Sequence, residues 1–222
     1  MDPTYIAVIV VTLILGLGSQ ALIKSRYKKW SKVPSSTQLT GAQTAQKMLH
    51  SNGLTHIAIQ RVEGELSDHY DPKKMVIALS PSVYDGRSVA ATAIACHECG
   101  HAVQHAQSYV PSKIRAAIVP VVNLASHIWI FVLIAGMVLT IFELVYVAIG
   151  LYIAVIVFQL ITLPVEFNAS SRALAYITTS GYLPSQENKG AGSVLRAAAF
   201  TYVAAALASL LYLVYILGFS RR

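Results

Sequence analysis

Between Ala116 and Val165 the chain carries no Lys or Arg, and Glu143 is the only acid. As one helix this stretch would be about 75 Å long, more than twice a ~30 Å hydrocarbon core. It is therefore expected to fold back as two membrane spans, with Glu143 near the turn and Pro120 and Pro164 near the outer limits. Two further apolar runs, Tyr5–Ile23 and Ala197–Leu217, also have the length of a span. The last is rich in alanine, which lets helices approach closely in lipid. Composition agrees: charged residues make up 12% of the 222, against about 25% in soluble domains. That deficit excludes intrinsic disorder, an ordinary nucleic-acid reader and a disulfide-rich secreted module.

Five segments follow. Residues 1–23 are expected to be a transmembrane anchor, 24–115 the cytoplasmic-side region that holds the sequence His97-Glu98-Cys99-Gly100-His101, 116–165 a transmembrane hairpin, 166–193 a helix and loop, and 194–222 a final transmembrane helix. The anchor has no basic residue before it but is followed by Lys24, Arg26, Lys28, Lys29 and Lys32. A cleaved signal peptide has the reverse arrangement. The positive-inside rule places residues 24–115 in the cytoplasm. Within them Thr40 caps a helix, Gly41–Ser51, that stops at Asn52 and Gly53. Two β-like runs, Thr55–Val62 and Lys74–Leu79, flank a turn-rich loop, Glu65–Pro72, and are expected to form a β-hairpin. A helix capped near Ser88 then runs from Val89 to about His105. The fold class is a mainly α membrane protein: four transmembrane helices and a small α+β region, which the motif inside its last helix, His97-Glu98-Cys99-Gly100-His101, makes zincin-like.

That helix contains His97-Glu98-Cys99-Gly100-His101, an H-E-x-x-H motif. Histidines at i and i+4 share a helix face, so both can bind one Zn²⁺. Glu98 can reach the water that the metal activates and act as general base. The bland alternative is a buried structural histidine pair. A catalytic zinc needs a third protein ligand and an open position. Downstream of Glu98 the acids are Glu143, Glu166 and Glu187. A hairpin returns the chain to the side it left, so Glu143 lies on the opposite membrane face. Glu166, just past Pro164, emerges on the catalytic side and opens an expected helix, Glu166–Ile177, where it could also serve the helix dipole. Glu187, in a loop-like stretch from Gly181 to Gly192, is the alternative ligand. His105 continues the stripe but lies about 12 Å along the axis from His97. It is therefore expected to sit behind the ligands, on the substrate side or simply at the surface. His127, inside a span, reads as a helix–helix hydrogen-bonding group. Cys96 and Cys99 read as core packing rather than a redox pair, and no further cysteine exists to complete a thiolate zinc site.

Together these residues resemble the YugP-like membrane zinc metallopeptidases, the neutral zinc metallopeptidase family. The likeness runs through the N-terminal anchor, Asp68-His69-Tyr70-Asp71-Pro72, Leu79-Ser80 to Val83-Tyr84, Ala95 to Gln104, and Leu163 to Ser170 with Arg172. The resemblance implies zinc on His97, His101 and Glu166, a catalytic Glu98 and a prokaryotic cell membrane location. Many similar membrane zincins have an Asp four residues after the ligand Glu, where it orients a zinc-bound histidine. Here that position is Ser170, and either Asn168 or Ser170 could take over the role. By the same analogy, Met75–Ser80 would be an edge strand that pairs with an extended substrate, or else an ordinary structural strand.

The function these features point to is a membrane-embedded zinc endopeptidase acting on membrane or unfolded proteins. The alternative is a non-catalytic zinc-containing membrane scaffold or adaptor that binds partner proteins. Partner membrane proteins or a homo-oligomer fit either reading; nucleic acid fits neither. A site-2-type intramembrane protease would need a later Asp in a span, and no Asp follows Asp85.

Overall fold

The computed structural model describes residues 3–219; Met1 and Asp2, at the start of the anchor segment, and Arg221 and Arg222, at the end of the final one, lie outside them. The protein is mainly helical, with four long apolar helices and a small three-stranded sheet. The long helices are α1 (Pro3–Trp30), α5 (Val110–Val138), α6 (Phe142–Thr179) and α7 (Ser185–Phe219). Each is long and apolar enough to cross a membrane. Leu13, Ile14, Leu17, Phe131, Val138 and Val214 stand exposed on them, as side chains facing lipid do. Towards one end of the four helices, Trp129, Tyr152 and Tyr212 form an aromatic cluster beside Leu133, Ile149 and Ile216.

Between α1 and α5 lie α2 (Gly41–Ser51), β1 (Ala58–Arg61), β2 (His69–Asp71), β3 (Val76–Leu79), α3 (Pro81–Tyr84) and α4 (Val89–Ala106). Thr40 and Gln43 form a capping box on α2, and Ser88 caps α4 through the Ala91 amide. α4 is buried along most of its length against α2, α6 and α7. Its core neighbours include Met48, Leu49, Ile77, Leu79, Ile177 and Leu195. Cys96 and Cys99 are free and fully buried there. Burial pushes both thiols up, away from the reactive thiolate.

Four local expectations are corrected. The hairpin is formed by β2 and β3, not by the two longer runs: β2 pairs antiparallel with β3, whereas β1 pairs parallel with it. Asp71 Oδ1 accepts the amides of Lys73 and Lys74, which closes a tight turn between β2 and β3. The loop after β1 instead crosses the end of β3, where Ser80 N–H and O–H donate to Asp68. The order β1-β3-β2 makes β3 the central, fully buried strand. Both its edges are occupied, so Met75–Ser80 is not an edge that can take a substrate strand.

Second, no helix opens at Glu166. α6 runs straight through Pro164 for 38 residues; membrane helices tolerate an interior proline where neighbouring groups take up the freed carbonyl. At about 57 Å it overshoots the bilayer core, and its last turns carry Glu166 in against α4. Third, the stretch from Gly181 to Gly192 is a loop only as far as Pro184, and α7 begins at Ser185. Gly190 serves packing rather than a turn: a Cβ there would lie 2.5 Å from the Trp30 ring. Fourth, His127 bonds the Asn123 carbonyl of its own helix rather than a neighbouring helix.

Candidate metal and catalytic site

His97 and His101 leave α4 one turn apart, with ring centroids 4.7 Å from each other at nearly a right angle. Glu166 reaches them from α6: its Oε2 lies 3.3 Å from His97 Nε2 and 3.6 Å from His101 Nε2. One ligand atom from each of the three residues falls within 4.8 Å of the others. Helix α4 approaches α6 closely enough for this because residue 100 has no side chain. A Cβ on Gly100 would lie 2.5 Å from the Ala169 carbonyl oxygen.

The other nitrogen of each imidazole is held as well. His97 Nδ1 lies 3.2 Å from Ser170 Oγ, and His101 Nδ1 lies 3.1 Å from Gln104 Oε1. With each Nδ1–H donating to its oxygen, the Nε2 lone pairs face the gap beside Glu166. The buried Gln104 amide is oriented in turn. Its Nε2 donates to the Val165 carbonyl at 2.7 Å and to Asn168 Oδ1 at 3.0 Å. Arg172 Nε donates to the same Asn168 oxygen at 2.7 Å. Ser170 therefore touches His97 directly, whereas Asn168 reaches His101 through Gln104. Sequence reasoning missed Gln104; its signal was a position three residues after His101, on the same helix face.

Glu98 is buried beside the group, 7% exposed. Burial raises its carboxyl above the usual range; His97 and His101 oppose the rise, and Glu166 and Asp68 add to it. At His101 burial disfavours the charged ring, but Glu166 and Glu98 outweigh it, so His101 is raised. Two carboxylates around two imidazoles thus make a small buried site that favours a cation. A nitrogen–nitrogen–oxygen donor set with lone pairs converging on one gap fits zinc. The site opens into a cavity of about 260 Å³. Its walls come from α1 (Gln20, Ile23, Tyr27), the loop before β2 (Leu66, Asp68), α4, α6 and α7.

The remaining candidates stand apart. His105 Nδ1 is 2.9 Å from the Tyr70 hydroxyl on β2, away from the group. Glu187 accepts from the Ser36 amide and hydroxyl, pinning α7 to the segment before α2. Glu143 lies in the first turn of α6, with the turn itself just before it, near Thr140.

The profile of a family described as "Putative neutral zinc metallopeptidase" matches residues 5–221, nearly the whole chain. The chain belongs to the neutral zinc metallopeptidase family. This metallopeptidase is also similar to the "Putative membrane protease YugP" of Bacillus subtilis (strain 168), with 47% identity over 206 residues. The alignment covers 93% of this chain and 92% of that protein. No solved structure matches this metallopeptidase.

Proposed function

We propose that this chain is a membrane-embedded zinc endopeptidase that hydrolyses peptide bonds of membrane or unfolded proteins at the cytoplasmic face. The observation that carries the proposal is the convergence of His97 Nε2, His101 Nε2 and the Glu166 carboxylate beside a buried Glu98. His97, His101 and Glu166 would hold Zn²⁺. When bound, the ion supplies Lewis acidity and makes water a nucleophile at neutral pH. Glu98 takes the proton of the attacking water and delivers it to the departing amine nitrogen. Ser170 and Gln104 keep both rings in the tautomer that turns Nε2 towards the gap. Removing one such partner typically costs about 10- to 100-fold in metal affinity. Ser170→Ala should therefore weaken zinc binding by about tenfold, read by competition with a chromophoric chelator; unchanged affinity would remove Ser170 from the ligand-orienting role.

The substrate class follows from what walls the cavity. Helices α1 and α7 form two of its sides, so a substrate reaches the site at the membrane surface. A volume of about 260 Å³ admits an extended segment rather than a folded domain. The outer edge of β2, next to Asp68, takes the place first given to β3 as the strand against which such a segment could lie. The cytoplasmic assignment rests on Lys24, Arg26, Lys28 and Lys29, all exposed where α1 leaves its apolar run.

The test is proteolysis of an unfolded model protein by the detergent-purified chain. Cleavage should stop with 1,10-phenanthroline and return with added zinc. Bound zinc with no cleavage under any lipid or detergent condition would favour the scaffold reading.

A further inference from the structure

The cavity beside the metal group is lined by three carboxylates, Glu98, Glu166 and Asp68. Glu166 and Glu98 have roles, as ligand and as acid–base group. A bound Zn²⁺ would offset those two negative charges and leave that of Asp68 uncompensated. Asp68 is held in place by Ser80: its Oδ1 accepts the Ser80 amide at 2.8 Å and the Ser80 hydroxyl at 3.0 Å. A carboxylate has about four acceptor positions, so Ser80 leaves room for a further donor. Among the described residues no lysine, arginine or histidine forms an ion pair with Asp68. Its neighbour His69 turns instead to the Ser67 carbonyl, with Nδ1 2.8 Å from it. Charges taken out of water are normally paired, and the wall of a substrate cavity is where the partner can arrive with the substrate.

The walls around Asp68 suit a cation on an aliphatic stem. Leu66, two residues before it, and Ile23 on α1 give the same cavity apolar surface. Lysine and arginine lay their methylenes along such surface and present the charged head to a polar partner. The Tyr27 hydroxyl lies 2.8 Å from Ser82 Oγ, which ties α1 to the segment that carries Ser80 and fixes these walls relative to one another. We propose that the cavity contains a subsite for a lysine or arginine side chain of the substrate, and that Asp68 is the residue that selects it. The proposal rests on the peptidase reading above and narrows its substrate class. Basic residues are enriched where membrane proteins leave the bilayer on the cytoplasmic side, and two walls of the cavity belong to the spans α1 and α7. The segments selected are therefore those with a basic residue close to the scissile bond, as in the cytoplasmic flank of a membrane span.

The probes are peptidyl hydroxamates, which bind a zinc centre without turnover. They are identical except for one residue, which is lysine, norleucine or glutamate and is moved through the positions that flank the hydroxamate. At one position the detergent-purified, zinc-loaded wild type should bind the lysine probe about 10- to 100-fold more tightly than the norleucine probe, the range for a hydrogen bond between charged groups. The glutamate probe should bind most weakly there. In Asp68→Asn, which keeps an oxygen for Ser80, the preference for lysine should fall to about twofold or less, with the norleucine probe bound as in wild type. Equal binding of lysine and norleucine probes by wild type at every position overturns the proposal, and that comparison needs no variant. A full lysine preference in Asp68→Asn also overturns it, by assigning the recognition of charge to Glu98. Either result leaves the peptidase reading standing. Wild type that carries zinc and binds none of the probes counts against that reading, and the proposal falls with it.

Discussion

Glu98→Gln should bind as much zinc as the wild type and hydrolyse peptide about 10⁴-fold more slowly, the upper end of what a positioned acid–base group contributes. The substitution keeps the shape of a buried side chain and removes only its capacity to take a proton. His97, His101 and Glu166 are untouched by the change, so metal content and thermal midpoint provide the control. Glu98 is also the clearest divide between an enzyme and a zinc-bearing scaffold. A structural zinc is closed by four protein ligands, whereas three ligands with an acid–base group buried beside them, where its desolvation is unfavourable, suit a catalytic one. The measurement is kcat on an unfolded protein beside zinc quantification in the same samples. A Gln variant that cleaves within tenfold of wild type would mean that another group takes the proton. Asp68, the other carboxylate on the cavity wall, would then be the next to replace.

What could be read from the sequence has a physical pattern. Membrane spans are legible because lipid forbids charge over long runs, and the stretch from Ala116 to Val165 obeys that rule. The histidine pair is legible because helical spacing alone decides whether two side chains share a face. Glu166, which the structure brings beside the two histidines, could be singled out because acids are so scarce after Glu98 that topology sorts them. The sheet was misread because β2 has three residues, His69–Asp71, of the polar kind that usually marks a turn. Its strand character comes only from pairing with β3. The continuity of α6 was hidden by Pro164, which would end most helices in water but not one packed among others in a bilayer. Gln104 and Asn168 bond each other across 64 residues of sequence. No local pattern announces that bond, although it sets the orientation of His101.

Gly100→Ala should break the metal site without touching a ligand. In an ordinary helix interior the same change adds stability, by about 1 kcal/mol. Here the new methyl would stand 2.5 Å from the Ala169 carbonyl oxygen and 3.1 Å from its carbonyl carbon and Cα. All three atoms are backbone, so no rotamer change can make room and α4 and α6 must separate. Glu166 is three residues before Ala169 on the same rigid helix, so it retreats from His97 and His101 with it. Overpacking of this kind costs about 1–3 kcal/mol, which reverses the sign of the helix-propensity gain. The variant should therefore melt at a lower temperature than wild type in the metal-free form. It should also bind zinc at least about 10-fold more weakly, as when a ligand's support is removed, and lose hydrolysis in proportion. Gly150→Ala is the matched control: a Cβ on Gly150 meets nothing within 4 Å, and that variant should keep both zinc and activity. If Gly100→Ala instead melts higher and keeps its zinc, α4 and α6 are not in close contact at the motif. The convergence of Glu166 on the two histidines would then need another cause.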